Sequence, residues 1–416
     1  MRIVLVSQYY WPETFGAGKW TAEIAEWLAR RGHDVTVVTA FPNYPDGVVF
    51  PEYQGRFFMK EEHNGVHLIR TWCSATPRTK ALWQRILSQA SFSCSLIMGF
   101  LLTKRPDVAW YASPPLPGAF TTWLACKMKR ARSVMYVLDI EPQRSIALGL
   151  FTNGCVIRML EWMERFAYQH YDRVCVLSES AKQWLAKNGA EVTKLRIMPL
   201  WADGKQIVPL SRHSSLRGEL GLNGEFVALY SGNMGYTMAD LETVVEAAQF
   251  LQNEADLHFV IAGSGVRQGS IAKRAKGLPN MTMLPIQTLD RFPRLLATAD
   301  VGLVLLSREG TQASVPSKTY SLLAAGKPIV AICEPESDTA RLLRDAQCGM
   351  RVEPADAPHL AAVLREYRDH PERVQVEGTK ARTYFEEHHT PEHCMTIFEG
   401  ILNEVVATQW GGGHAL

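Results

Sequence analysis

Several features that mark specialised proteins are missing from this sequence. Its eight cysteines are scattered singly from Cys73 to Cys394 without metal-ligand spacing, which predicts free thiols in a reducing compartment. Residues 1–10 run directly into a strand, so we expect no signal peptide and a cytoplasmic location. A formal net charge of only +2 gives no general reason to expect a nucleic-acid partner.

Nucleotide-loop fingerprints are missing as well. The segment ETFGAGKW superficially suggests a phosphate-binding loop, but Glu13 stands where the first glycine belongs and Trp20 where a Ser or Thr belongs. The sequence has no complete dinucleotide fingerprint and no paired aspartates after a strand that would hold a divalent ion. We therefore expect neither a cofactor nor a metal.

Acidic residues are missing from the interval between Glu62 and Asp107. Basic residues occur there instead, at Arg70, Arg78, Lys80, Arg85, Lys104 and Arg105, and a second group follows at Lys127, Lys129, Arg130 and Arg132. The apolar centre of the interval is broken by polar residues, whereas a spanning helix needs roughly 20 mainly apolar ones. The pattern predicts peripheral contact with an anionic membrane surface, or else a core helix with a solvated basic rim.

What the chain does contain is a regular alternation of strands and helices, which predicts an α/β class with mostly parallel sheets. One series of strands runs from residues 3–7 to 174–177, and a second from 226–230 to 329–332. A polar stretch at 204–225 separates them, and 416 residues are too many for a single core. We expect two doubly wound domains that face each other across a cleft.

Glycines follow strands in both halves of the chain, where bare backbone can approach a ligand closely. The first strand is followed by a loop with Gly16 and Gly18. In the second half, the strands 226–230 and 257–262 are followed by Ser231, Gly232, Asn233 and Gly235, and by Gly263 and Gly265. Tight turns also use glycine for purely structural reasons, so the recurrence after strands of both halves is what suggests a site.

The segment VPSKTYSLLAAGKPIVA predicts a helix that begins at Pro316, ends at Gly326 and leads into a buried strand. Ser317 and Lys318 would lie in its first turn, and Lys327 would face its carbonyl end. Free backbone N–H groups and the charge of Lys318 would attract an anion at the carboxyl edge of a parallel sheet. An ordinary helix with a basic first turn fits the same residues.

Taken in order, these pieces resemble the retaining GT-B glycosyltransferases of family four, and most closely their bacterial exopolysaccharide and O-antigen branch, including the colanic-acid type. The matching segments, which extend over nearly the whole chain, are RIVLVSQYYWPETFGAG, HDVTVVTAFPNYP, VLDIEP, YDRVCVLSES, IMPLWAD, LYSGNMG, VIAGSG and VPSKTYSLLAAGKPIVA. The resemblance implies transfer of a sugar, without a metal, from a UDP- or GDP-linked donor to a glycan or polyprenyl-diphosphate-linked acceptor.

The resemblance also implies a domain plan. Residues 1–204 would form an acceptor-side Rossmann-like domain, and residues 205–386 a nucleotide-sugar-binding one. Residues 387–416 would form a helix and tail, with the helix packing back on the N-terminal domain.

Site residues carry over from the family only in part. Lys318 is the candidate that stabilises the diphosphate leaving group, while the glycine turns contact the donor. Asp139, after the strand 134–138, is the candidate that orients a hydroxyl group, unless it is a turn carboxylate. The glutamate pair of many members is replaced by Ala313 and Ser321, although Glu309 could substitute for the first.

Two other function classes remain open at this point. A sugar-nucleotide epimerase can have the same architecture, but the sequence offers no evident carboxylate and histidine set for its acid–base chemistry. A non-catalytic partner subunit would explain Ala313 and Ser321.

Overall fold

The computed structural model describes residues 1–13, 17–44, 46–75, 82–140, 153–211, 215–222, 224–235, 240–306 and 316–408. The chain divides into two compact units. Unit 1 comprises Met1–Leu177, Ala181–Met198 and Met395–Leu416, and unit 2 comprises Ser178–Ser180 and Pro199–Cys394.

Unit 1 is built on a sheet with the strand order β3-β4-β2-β1-β5-β6-β7-β8. Its strands are β1 (Arg2–Val6), β2 (Asp34–Ala40), β3 (Phe58–His63), β4 (Val66–Thr71), β5 (Val108–Ser113), β6 (Arg132–Val137), β7 (Arg173–Val176) and β8 (Leu195–Ile197). Only the β3–β4 pair is antiparallel among these neighbours. The central strand β5, VAWYAS, is buried throughout, as expected for a parallel sheet covered on both faces.

The helices of unit 1 connect and cover these strands. They are α1 (Ala17–Arg30), α2 (Leu82–Leu101), α3 (Leu116–Lys129) and α4 (Gly154–His170), with α5 (Glu179–Lys187) spanning the division between the units. Asn153 caps α4, since its side chain accepts a hydrogen bond from the N–H of Cys155. Within the described part of the chain, no helix is both long and apolar enough to cross a bilayer.

Unit 2 contains a parallel sheet with the order β11-β10-β9-β12-β13-β14. Its strands are β9 (Phe226–Asn233), β10 (Leu257–Ser264), β11 (Met281–Leu284), β12 (Val301–Leu305), β13 (Ile329–Ile332) and β14 (Gly349–Val352). The helices are α6 (Ser215–Glu219), α7 (Leu241–Phe250), α8 (Gln268–Ala275), α9 (Phe292–Thr298), α10 (Lys318–Ala324), α11 (Asp338–Ala346), α12 (Ala357–Asp369) and α13 (Pro371–His388). Apolar side chains of β9, β10 and β12 pack with those of α7 and α12 to form the core.

The units divide at 198/199 and 394/395, whereas the sequence places the domain boundaries at 204/205 and 386/387. The first difference has a packing cause. Nδ1 of His389 lies 3.0 Å from the carbonyl oxygen of Leu200, and a Cβ on Gly204 would lie 2.5 Å from a ring carbon of Phe385. These contacts assign the segment 199–204 to unit 2.

The last helix, α14 (Pro391–Ala407), contributes its residues from Met395 onward to unit 1. The ring of Phe398 lies 5.7 Å from that of Trp110 on β5, with both side chains buried. Further along the helix, the carboxylate of Glu404 accepts hydrogen bonds from Arg173 and Arg196 of β7 and β8.

Candidate active site

The strands β9 and β10 continue further than the sequence indicates, and this changes the place of four predicted site residues. Ser231, Gly232 and Asn233 form the end of β9 and not a turn after it. They pair in register with the end of β10, where Gly263 is opposite Gly232. The predicted glycine turns are therefore two adjacent strand ends at the carboxyl edge of the unit 2 sheet.

Close backbone contact explains the glycines at these strand ends. Gly232, Gly263 and Gly265 have φ values of +155°, +148° and +155°. A Cβ on Gly263 would lie 1.9 Å from the carbonyl oxygen of Gly232, and one on Gly265 would lie 2.6 Å from the backbone of Met234. A Cβ on Gly235 would meet the side chain of Asn233 at 3.6 Å, an ordinary contact. Backbone contacts therefore require glycine at positions 263 and 265, whereas a Cβ on Gly232 would meet the side chain of Lys318 at 2.7 Å.

Lys318 begins the helix α10, which starts at this residue and not at Pro316 as predicted. The N–H of Thr319 donates to the carbonyl of Pro316 at 2.9 Å, so residues 316–319 form a turn ahead of the helix. Ser317 is exposed at the N-cap position, and within this described segment its side chain makes no capping hydrogen bond. The predicted end at Gly326, with φ of +63°, agrees with the structure.

The ammonium group of Lys318 lies beside the two strand ends. Its Nζ is 3.7 Å from the ring centroid of Tyr230, and a Cβ on Gly232 would lie 2.7 Å from that atom. The hydroxyl of Tyr230 donates a 2.8 Å hydrogen bond to the carbonyl of Asn233, which fixes the ring beneath the ammonium. The sequence interpretation missed Tyr230, although an aromatic residue directly before a Ser-Gly strand end was a visible signal.

Desolvation lowers the pKa of Lys318 to about 7. Among the described residues, no carboxylate forms an ion pair with it. The π face of Tyr230 attracts the cation without neutralising its charge. An anion that approached these strand ends would therefore meet a partly desolvated positive charge, where electrostatic attraction is stronger than in bulk water.

Lys327 has a different role from the one predicted. Its Nζ donates to the carbonyl of Ala299 at 2.7 Å and lies 3.4 Å from that of Ala297, at the end of α9. The lysine is buried and satisfies carbonyl groups of a neighbouring helix, not of the helix that precedes it. Its contribution is structural.

The remaining predicted residues are distributed as follows. Gly18 lies in the first turn of α1 and not in the loop before it, and a Cβ there would be 3.0 Å from the carbonyl oxygen of Glu13. Asp139 follows β6 at the carboxyl edge of the unit 1 sheet and is partly exposed. Gly16 and Glu309 lie outside the described residues.

Glu13 is a second residue that the sequence interpretation missed. Its buried carboxylate accepts hydrogen bonds from the backbone N–H groups of Asn43 and Tyr44, both at 2.8 Å, and of Tyr10 at 3.2 Å. Burial raises the pKa of this carboxyl despite these bonds. The carboxylate joins the loop after β1 to the loop after β2. From the sequence alone, Glu13 was notable only because it stands where a phosphate-binding loop has its first glycine.

Comparison with known proteins assigns the chain to a family. The profile described as Glycosyl transferase 4-like domain matches residues 15–201, and the profile described as Glycosyl transferases group 1 matches residues 225–369. An Escherichia coli protein named for colanic acid biosynthesis, the glycosyl transferase WcaI, is 31% identical over 412 residues, which cover 96% of this chain and 98% of that protein. The chain belongs to glycosyltransferase family four.

Solved structures share the fold of this glycosyltransferase at low sequence identity. The sucrose-phosphate synthase of Thermosynechococcus elongatus aligns over 98% of the chain and all of that protein, with a TM-score of 0.77 and 15% identity. The Anabaena HepE protein in complex with UDP-glucose aligns over 98% of the chain and all of that protein, with a TM-score of 0.69 and 14% identity. The predicted GT-B class, with two Rossmann-like sheets, is confirmed.

The enzyme class predicted from the sequence is confirmed as well. The family profiles, together with relatives named as a glycosyltransferase and as a mannosyltransferase, support a hexosyltransferase, and the transfer of a sugar from a nucleotide sugar fits them. They do not favour the epimerase or the non-catalytic subunit.

Proposed function

We propose that the strand ends of unit 2 bind the diphosphate of the nucleotide-sugar donor, with Lys318 as the cation that faces it. The position of Lys318 Nζ, over Tyr230 and beside Gly232, carries the proposal. Since α10 has only seven residues, we assign the attraction to this charge and not to the helix. The donor contacts are Ser231, Gly232, Asn233, Gly235, Gly263, Gly265 and Ser317, with Gly16, Gly18 and Glu309 as further candidates.

The donor is a UDP- or GDP-linked hexose in this proposal. The HepE protein, a structural neighbour solved in complex with UDP-glucose, supports a nucleoside diphosphate of this kind. The residues around Lys318 do not distinguish the base of UDP from that of GDP, because they face the diphosphate, which both donors share.

Transfer would proceed with retention and without a side-chain nucleophile. The acceptor oxygen forms a bond to the anomeric carbon while the bond from that carbon to the phosphate oxygen breaks. The acceptor proton passes to the departing phosphate oxygen, and Lys318 stabilises the charge that develops on the diphosphate. Asp139 of unit 1 would orient the acceptor or donor hydroxyl. No step of this transfer requires a metal.

The experiment for this function measures nucleoside diphosphate release from a panel of UDP- and GDP-linked hexoses, with and without a polyprenyl-diphosphate-linked saccharide. We expect release from one donor that depends on the acceptor and continues in excess chelator. Failure of every donor to bind or react would contradict the proposed site. Epimerised donor without release would indicate the other enzyme class.

A lipid-linked acceptor would place the enzyme at a membrane surface, and here the structure changes the expected mode of contact. Several basic residues of the predicted surface have internal partners. Arg70 is fully buried and pairs with Glu61, Arg132 pairs with Asp172, and Lys129 donates to the carbonyl of Thr103. Arg78 and Lys80 lie outside the described residues.

Exposed apolar side chains on the packed helices α2, α3 and α4 support membrane contact better. Trp83 of α2, Met128 of α3 and Trp162 of α4 are 62%, 58% and 55% exposed. The ring of Phe166 lies 5.6 Å from that of Trp162 and 4.9 Å from that of Trp123. Aromatic rings beside basic residues are typical of membrane interfaces. We use the name apolar face for Trp83, Met128 and Trp162 together, one exposed side chain from each of these helices.

Replacing the apolar face by serine, as a triple variant, should greatly reduce sedimentation with anionic vesicles. Burying one such side chain in the membrane contributes about 1.5–3 kcal/mol to the free energy of binding. The loss of membrane affinity should therefore exceed the roughly 1 kcal/mol that one basic residue supplies. The matched control is Phe250→Ser, which removes a 57% exposed aromatic residue from α7 of unit 2. Equal sedimentation of the triple variant and the wild type would leave the apolar face without a membrane role.

A further inference from the structure

A groove of about 530 Å³ lies at the carboxyl edge of the unit 1 sheet. Phe41 directly follows β2 and Trp72 directly follows β4, and these two strands are parallel neighbours. Both residues line the groove, together with Tyr53 and Phe57. Ligands of open α/β sheets bind at this edge, and the volume is within the range of small-molecule pockets.

The inner wall of the groove is held rigidly by a buried cation. The guanidinium carbon of Arg70 lies 5.0 Å from the ring centroid of Tyr53, and its Nη2 donates to the carbonyl of Trp11 at 2.7 Å. Its Nε donates to Glu61. The ring of Tyr53 is also 5.9 Å from that of Phe41. This wall is formed before any ligand arrives, which lowers the ordering cost of binding.

The outer wall presents two aromatic rings to solvent. Phe57 is 68% exposed and Trp72 is 41% exposed, and their planes differ by 15° with centroids 6.0 Å apart. The backbone of Trp72 is fixed by its N–H bond to the carbonyl of Phe57 at 3.1 Å and by the bond that its own carbonyl accepts from Ser95 at 2.6 Å. Two large apolar side chains that are exposed to solvent on a fixed backbone indicate a binding surface.

We infer that this groove binds a pyranose ring of the acceptor saccharide, a conclusion that rests on the proposed glycosyl transfer. The C–H face of a pyranose complements the negative face of an aromatic ring. Gln54 and Arg56 supply polar groups at the same groove for its hydroxyls. Among the described residues, Arg56 has only a weak contact to the sulfur of Met59, at 3.7 Å, so its guanidinium is available for a sugar oxygen.

The experiment uses saturation-transfer NMR on the full chain with methyl hexopyranosides and hexose disaccharides at millimolar concentration. The variants are Trp72→Ala, Phe57→Ala and the double substitution, and the exposed aromatic control is Phe250→Ala. Each single substitution should weaken saccharide binding about tenfold, as expected for a lost stacking contact, and the double variant more. Affinity for nucleoside diphosphate should stay at the wild-type value in all of them.

Three outcomes would overturn the assignment. One is that the wild type shows no saturation transfer to any saccharide, and another is that the folded double variant binds as the wild type does. The third is a wild-type dimer in sedimentation that the double variant dissociates, because a second copy would then occupy the groove. Failure of the proposed transfer reaction can be distinguished from failure of the groove assignment, because saccharide binding is measured without a donor.

Discussion

Lys318→Ala is expected to weaken nucleoside diphosphate binding about tenfold to hundredfold, the equivalent of one charge-assisted hydrogen bond of ~1.5–3 kcal/mol. Turnover should fall further, by ~100-fold or more, if the same charge stabilises the leaving group in the transition state. Calorimetry on the folded variant measures the loss of nucleoside diphosphate affinity. An assay of nucleoside diphosphate release measures the loss of turnover. The matched control is Lys327→Ala, which removes a buried lysine that bonds helix carbonyls and should alter stability only.

The pH dependence provides an independent check on this lysine. Its pKa is lowered to about 7 in the free protein, and the protonated form is the one that attracts an anion. Affinity for the diphosphate should therefore fall as pH rises above about 7, with proton uptake on binding. The ionisation of the ligand affects the wild type and the Lys318→Ala variant equally. The variant should therefore lack only the part of the pH dependence that comes from the lysine. Parallel pH profiles for the variant and the wild type would assign the diphosphate contact to another group.

Gly263→Ala should be one of the most damaging single-methyl additions in unit 2. The new Cβ would lie 1.9 Å from the carbonyl oxygen of Gly232, at a residue with φ of +148°. Relieving the overlap means separating the ends of β9 and β10, so we expect a loss of about 3–5 kcal/mol in the free energy of unfolding. Chemical denaturation measures this loss, and donor affinity should fall with it.

Gly269→Ala is the control for this substitution. Gly269 lies in α8, and a Cβ there would meet nothing within 4 Å among the described residues. Alanine in that helix should stabilise the protein slightly, by up to about 1 kcal/mol. If the two variants unfolded at the same denaturant concentration, the contact between the strand ends could not be as close as described.

The sequence was sufficient to predict the parallel core, and it singled out Lys318 as the candidate charge. Buried strands such as β5 and β13 are short apolar runs between turn residues, and Lys318 stands out in a Pro-Ser-Lys segment. The hairpin of β3 and β4 was not predicted, because β3 is a largely exposed edge strand with a polar sequence. Its turn at Asn64 and Gly65, with φ of 51° and 77°, was the available signal.

Contacts between distant segments account for most of what the sequence could not provide. Strand β9 extends to Asn233 because the end of β10 pairs with it, and single-sequence periodicity carries no information about that partner. The place of Tyr230 under Lys318 joins residues 88 positions apart, and the partner of Lys327 is a different helix from the one expected. Local patterns identify helices and strands, whereas these relations depend on packing.

The three hydrogen bonds to Glu13 tie the loops after β1 and β2 into one mechanical element. Neither loop can swing away without breaking bonds to a carboxylate that has no solvent to replace them. Phe41, in the wall of the aromatic groove, lies two residues before Asn43 on one of these loops. A saccharide that displaced this wall would therefore also displace the loop after β1, because the side chain of Glu13 bonds both loops.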